Sequence, residues 1–328
     1  MTRFVARRVL ASVLVLVAIS FCVYMLFYSS AVDPARVMCG RPCRPDRLAQ
    51  IKSFMQTDRD AFHQWLDFLA GLFQGRTFGS GAEAVTCVAP CVGFSFELRR
   101  PVTELILERL PVTASIAFGG ALTALALGFG GGVHAALRRG RPFDHAARGV
   151  SLALIATPTY LLGLVAVLIF GFYLDMVPVS GYVPFRESPV GWAWHLVLPW
   201  LVIGALNAAT YLRFARNQML EELSAEHLRT ERATGAPRRH VLRTARRGVW
   251  VPIITMFGLD LAGLLGGAVF TERVFGMHGL GDLLIDAVGR RDLGLVVGTA
   301  LFGAALVIAA NLVVDIVHGL IDPRIRRA

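Results

Sequence analysis

The sequence predicts an all-α membrane protein with six transmembrane helices, both termini in the cytoplasm, and one long extracytoplasmic loop after the first helix. Composition is the first observation behind this. The 328 residues are 55% hydrophobic and 17% charged, with mean hydropathy +0.58, whereas soluble domains carry nearer a quarter charged residues. The second is that the apolar residues gather into runs long enough to cross a bilayer core, which takes about 20 residues of helix. The placement of arginine, the third, orients the spans. Residues 1–32 are read as the amino-terminal flank and first span, 33–110 as an extracytoplasmic loop or cap, and 111–328 as a membrane core with a cytoplasmic loop at 222–247.

The first run, "VLASVLVLVAISFCVYMLFYSSAV" (9–32), holds no charge. It exceeds the roughly 7–15 residues of a signal-peptide core, so it is expected to be kept as a span. Cys22 inside it reads as a small apolar residue. The second and third runs, "VTASIAFGGALTALALGFGGGVHAAL" (112–137) and "GVSLALIATPTYLLGLVAVLIFGFYL" (149–174), are also uncharged. The "GFGGG" at 128–132 is expected to serve close helix packing rather than phosphate binding. The fourth is "VGWAWHLVLPWLVIGALNAATYL" (190–212); the fifth, "GVWVPIITMFGLDLAGLLGGAVFT" (248–271), contains Asp260; the sixth is "LGLVVGTALFGAALVIAANLVV" (293–314), stopped at the inner surface by Asp322-Pro323-Arg324. No internal repeat is visible, so an inverted-repeat transporter gains no support.

Orientation follows from basic residues in short loops. With the amino terminus inside, the inner segments hold Arg3, Arg7 and Arg8; Arg138, Arg139, Arg141 and Arg148; the arginines from Arg213 to Arg247; and Arg324, Arg326 and Arg327. The short outer loops hold Arg186 in one and Arg273, Arg290 and Arg291 in the other. These flanks account for the net charge of +10 with membrane lipid as the partner, and no nucleic acid is expected.

The long loop carries Cys39 and Cys43 in "CGRPC", and Cys87 and Cys91 in "CVAPC". Four cysteines in an oxidising space read as two disulfides, either two local bridges or a cross-pairing. No histidine stands beside either pair, so a metal site is not expected. The stretch "FHQWLDFLAGLFQG" (62–75) puts Phe62, Trp65, Leu66, Leu69, Leu72 and Phe73 at helical spacing, for a helix resting on the membrane surface or capping the bundle.

Enzymatic motifs are missing. The single lysine, Lys52, follows "RLAQI", which excludes a GxxxxGK phosphate loop, and there is no HExxH. His278, Asp282 and Asp286 fall at i, i+4 and i+8, a spacing that chance supplies often. An intramembrane enzyme is therefore disfavoured.

The basic stretch "HLRTERATGAPRRHVLRTARRGVWVPII" (227–254) predicts two short cytoplasmic helices joined at Gly235, with Pro237 in the first turn of the second and Gly248 ending it. A fixed bend suits a mechanical contact with a partner. The same arginines would also hold a hairpin on anionic lipid, at about 1 kcal/mol each. Asp260 is the clearest intramembrane candidate, since a carboxylate there is costly and faces a partner or an aqueous cavity. It lines a path or forms a structural pair; Asn207 and Tyr211 are weaker path candidates that also suit interhelical hydrogen bonds.

The wording of that stretch, "TERATGAPRRHVLRTARRGVWVPIIT", resembles the cytoplasmic coupling loop of binding-protein-dependent ABC importer permeases, in the dipeptide/oligopeptide/nickel branch. "RRVLASVLVLVAISFCVYML" is similar to that branch's first span, and "ERLPVTASIAF" (108–118) to its entry into the second. "VPVSGYVPF" (177–185), "HLVLPWLVIGALNAATYLRFARNQMLEEL" (195–223), "GGAVFTERVFGMHGLGDLLIDAVGRRDLGLVVG" (266–298) and "NLVVDIVHGLIDPRIRR" (311–327) continue the resemblance in order. The chain departs from the family at His278, where a proline is usual, at Glu231 and Thr234 within the loop, and in its cysteine pairs.

The resemblance implies the type I ABC importer permease fold in the cytoplasmic membrane: a half-channel paired with a second homologous permease, two ATPase subunits or domains, and an extracytoplasmic substrate-binding protein. ATP and Mg would be bound by the ATPases, no cofactor by this chain. It implies ATPase docking by Glu231, Arg232, Ala233, Gly235 and Ala236, and an outer gate or receptor contact at Glu272, Phe275, Arg291 and Asp292. The cargo implied is short peptides, with nickel, glutathione or another small solute as the alternative. A channel or secondary transporter working without ATPases is the reading from a different class, opposed by the coupling-loop resemblance.

Overall fold

A computed structural model of the chain describes residues 2–28, 34–40, 42–55, 60–79, 84–266 and 268–321. The expected stop at Asp322-Pro323-Arg324, together with Arg41, Arg59, Arg326 and Arg327, lies outside them. The order of elements is α1 (Thr2–Tyr28), α2 (Pro34–Cys39), α3 (Pro45–Met55) and α4 (Ala61–Gln74). Strands β1 (Arg76–Phe78), β2 (Val85–Cys87), β3 (Phe94–Ser95) and β4 (Arg100–Pro101) follow. Then come α5 (Val102–Leu137), α6 (Pro142–Ala156), and α7 (Thr159–Ala166), which continues as a π-helix over Val167–Tyr173. The remainder is α8 (Pro189–Ser224), α9 (Glu226–Ala233), α10 (Arg238–Leu265), α11 (Val269–Val274), α12 (Leu280–Arg290) and α13 (Leu293–Ile321).

Helix dominates, as the apolar runs require, since a spanning backbone must satisfy its own polar groups. Among the described residues, α1, α5, α8, α10 and α13 are each long and apolar enough to cross a membrane, and the α6–α7 pair makes a sixth only if its 107° bend is counted inside one span. The uninterrupted run at 149–174 is therefore not one straight helix. Pro158 excludes Thr157 from the helical region, and Thr157 sits at φ −90°, ψ 125°. The segment between α1 and α5 departs from an all-helical expectation too: β1 pairs antiparallel with β2 and β3 with β4, as two short ribbons.

The chain divides into two compact units, Met1–Thr113 with Leu265–Val269 and His278–Leu312, and Ala114–Leu264 with Phe270–Met277 and Val313–Ala328. In the first, α4 packs on α1: Trp65 Nε1 donates to Ser20 Oγ at 3.0 Å, the Trp65 ring meets Phe21 edge-on, and Tyr24 packs on Phe68. The expected apolar stripe of α4 is thereby split. Trp65, Leu69 and Leu72 join the cluster around Tyr24, Phe68, Val297 and Leu301, while Phe62, Leu66 and Phe73 stay exposed. The start of α5 packs Val102, Leu105 and Ile106 against Leu280, Leu283 and Ala287 of α12, and Leu280 N donates to Thr113 Oγ1 at 2.8 Å. The cysteines pair locally, Cys39 with Cys43 and Cys87 with Cys91; of the three pairings that four cysteines allow, neither of the crossed ones is formed.

In the second unit α5 and α8 cross at glycine. A Cβ on Gly132 would stand 2.6 Å from Leu212 O and 2.7 Å from Ala215 Cβ. Small residues let two backbones approach this closely, which is the use expected for the 128–132 run. A buried ion pair ties α6 to α8. Arg216 Nε and Nη2 donate to the two oxygens of Asp144 at 2.5 and 2.9 Å, and Gly140 N donates to the same carboxylate at 3.0 Å.

Candidate functional site

The basic insert is the first site. Helix α8 stops at Ser224, Ala225 leaves the helical region (ψ 147°), and α9 carries Glu226–Ala233. The turn after α9 is built from the backbone: Thr234 N donates to Thr230 O, Gly235 N to Arg232 O and Ala236 N to Glu231 O. Gly235 takes φ +82°, the left-handed conformation that ends helices and that glycine adopts without penalty. A Cβ there would meet nothing within 4 Å, so the requirement lies in the backbone and not in space. Ala233 and Gly235 are exposed, while Glu231 and Ala236 are half-buried. Arg232 Nη2 reaches back 2.9 Å to Leu223 O, bracing α9 against the end of α8. Glu231 Oε2 is shielded from solvent and has no hydrogen-bond partner among the described residues.

One boundary differs from the sequence expectation. Gly248 does not end the second short helix; α10 runs unbroken from Arg238 to Leu265, so the basic segment and the following span are one element. A mid-helix glycine costs only about 1 kcal/mol, and Gly248 faces the Glu222 carboxylate of α8, which a side chain there would meet.

The intramembrane candidates come from α8 and α10. Tyr211 is fully buried, and its hydroxyl has no hydrogen bond of normal geometry among the described residues. Asp260, half-buried on α10, is the carboxylate close enough to act on it. Asn207, half-buried, stands one helical turn before Tyr211. The structure thus brings Tyr211 and Asp260 together, with Asn207 along the same helix.

The four residues expected at an outer mouth fall two in each unit. Asp292 is fully buried at the start of α13. Its Oδ1 accepts from Leu295 N at 3.1 Å, and its Oδ2 accepts from Ser95 Oγ at 2.5 Å and Glu97 N at 3.3 Å. That carboxylate caps a helix and pins the long loop before α5 to it. Arg291, in left-handed conformation at φ +57°, lines an open groove with Gly40, Cys43 and Pro45. Glu272 and Phe275 are buried in the other unit. His278 Nδ1 lies 3.1 Å from Asp282 Oδ2, and among the described residues no group of three or more His, Cys, Asp or Glu is arranged to hold a metal ion.

Residues 107–327 match the family model of the binding-protein-dependent transport system inner membrane component, and residues 1–117 match that of the amino-terminal part of such membrane components. The chain belongs to that family. As an inner membrane component of a binding-protein-dependent transport system it is a multi-pass membrane permease, a transport subunit. It is 33% identical over 327 residues to a putative peptide transport system permease protein of Brucella abortus. It is 34% identical over 348 residues to a di/tripeptide transport system permease protein of Pseudomonas aeruginosa, and 30% over 351 to a dipeptide transport system permease protein of Escherichia coli. Each match covers 99% of both chains.

Within this permease the sequence reading missed the residues that hold the insert in place. Leu228, the one apolar side chain of α9 larger than alanine, is fully buried among Met219, Val241 and Ala245. A lone leucine among charges was the signal. Asp144 and Arg216 were missed because they stand 72 positions apart, and nothing local relates them.

Proposed function

We propose that this chain is one half of the translocation channel of an ATP-driven importer of short peptides. It crosses the cytoplasmic membrane six times, the α6–α7 pair counting as one bent span, with both termini inside. It pairs with a second homologous permease, two ATPase subunits or domains that hold ATP and Mg, and an extracytoplasmic substrate-binding protein. The peptide assignment rests on the full-length relatives, whose names are those of peptide, dipeptide and di/tripeptide permeases.

One observation carries the mechanism: an exposed bend at Gly235 whose second arm is continuous with a long apolar helix. Movement of a partner against Ala233 and Gly235 would be passed directly into α10. Leu228, packed on Met219, Val241 and Ala245, keeps α9 from absorbing that movement. Glu231, Arg232, Ala233, Gly235 and Ala236 are assigned to ATPase docking, with Arg232 acting through its brace to Leu223 O. Asp260 lies on the same helix as the docking bend, so the same movement would reposition it; it is assigned to the path with Tyr211 and Asn207. Arg291 is assigned to the receptor face. Glu272, Phe275 and Asp292 shape the outer mouth from within, Asp292 by fixing the loop.

Affinity purification of the tagged full chain from its own membranes tests the reading. ATPase subunits are expected in the eluate, together with peptide uptake when the assembly is placed in vesicles with the receptor. Recovery of the folded chain with no ATPase under any gentle solubilisation would overturn it.

A further inference from the structure

Helix α10 has two contrasting faces. Val241, Ala245, Val249 and Ile253 are buried in the core of the second unit. Arg239, Arg243, Arg246 and Trp250, at i, i+4, i+7 and i+11, share another face, and all four are exposed, as is Arg247. None of these arginines makes an ion pair among the described residues, and the groove they line, about 660 Å³, has no carboxylate in its wall. Its apolar side is Leu242, Trp250 and Phe129 of α5, with the two rings edge to face at 4.8 Å.

We propose that this groove binds the phosphate headgroup of an anionic phospholipid from the cytoplasmic leaflet. Guanidinium groups pair with phosphate oxygens through two parallel hydrogen bonds and carry weakly held water, so a ladder of unpaired arginines favours phosphate over most anions. The occupant is amphipathic because the lining is. Arginines lie toward the Arg239 end, and at Trp250 the helix enters its apolar stretch, where tryptophan marks the boundary of a bilayer. Basic pockets between helices on the cytoplasmic side suit anionic headgroups. An acidic protein surface would satisfy the arginines and leave the Phe129–Trp250 side with nothing to cover it. Burial of the opposite face fixes the roll of α10, so the ladder is held open. The proposal rests on the cytoplasmic placement of the segment and is separate from ATPase docking at Gly235.

Tryptophan fluorescence of the full chain in phosphatidylcholine nanodiscs, read while brominated phosphatidylglycerol is titrated in, tests it. Saturable quenching that W250F abolishes is expected, with brominated phosphatidylcholine giving no saturable component. R243Q/R246Q should require roughly 30-fold more phosphatidylglycerol for the same quenching. Equal quenching by the two lipids, or an unshifted titration in R243Q/R246Q, overturns the proposal. Loss of ATPase co-purification in R243Q/R246Q with an unshifted titration does so too, and assigns the ladder to protein docking. Saturable quenching by the anionic lipid in a chain that never retains an ATPase would leave the lipid site standing and remove the importer reading instead.

Discussion

Gly235 holds φ at +82° in open space, so replacements there separate backbone cost from steric cost. An L-residue in this conformation costs about 1–2 kcal/mol, a β-branched one more, and asparagine least. Gly235→Val is therefore expected to insert normally, retain ATP hydrolysis in the assembly and lose most peptide uptake, while Gly235→Asn keeps much of it; vesicle uptake alongside phosphate release measures both. Normal uptake by the valine variant would remove the bend from the mechanism. For Asp260, the neighbour of the unbonded Tyr211 hydroxyl, Asp260→Asn is expected to lower uptake about tenfold or more at unchanged yield and melting temperature. A drop in melting temperature with uptake preserved would place the carboxylate among the structural groups. Both residues could be picked out from sequence, because a glycine followed by proline and a charge inside an apolar run are local signals. Asp292 could be singled out from sequence, but the loop it pins is held through Ser95 and Glu97, far away in the chain.

Helices were legible where hydrophobicity alone defines them and less so where two signals compete. The apolar run at 149–174 hid the break that Thr157–Pro158 imposes, although the dipeptide was in plain view. Gly248 looked like a stop and is a continuation, because the choice between the two depends on what packs beside it, here Glu222. The crossing of α5 on α8 was signalled by its glycines, and its tolerance follows from what stands opposite. At Gly132 those neighbours are backbone atoms of Leu212 and Arg216 and the Ala215 methyl, none able to swing aside. Gly132→Val is accordingly expected to force the two helices apart, costing about 1–3 kcal/mol or more. A lowered melting temperature of the purified permease checks this, and the same change at Gly130, where nothing lies within 4 Å, is the control. Equal effects at both positions would argue that propensity, not the crossing, is what suffers.

Over the whole chain, the proposed topology of six crossings with both termini inside rests on arginine placement and the apolar runs together, and no single loop decides it. Fluorescent-protein fusions at the amino terminus and after Ala328 are expected to glow, and an alkaline phosphatase fusion after Gln74 to be active, since that enzyme matures only in an oxidising compartment. A dark carboxy-terminal fusion beside a fluorescent amino-terminal one would mean an odd number of crossings, with the bent α6–α7 pair the first suspect. Helix α10 is also an object with stiffness. Its 28 residues make a rod about 42 Å long, and Pro252 lies within it. Proline has no N–H to give, so the carbonyl four residues back, that of Gly248, loses its partner within the helix. The residue with no side chain to brace it is thus also the one whose hydrogen bond is missing. Torque applied at the Gly235 end should flex the rod at that joint before anywhere else, turning a push on the cytoplasmic surface into a change of tilt among the spans.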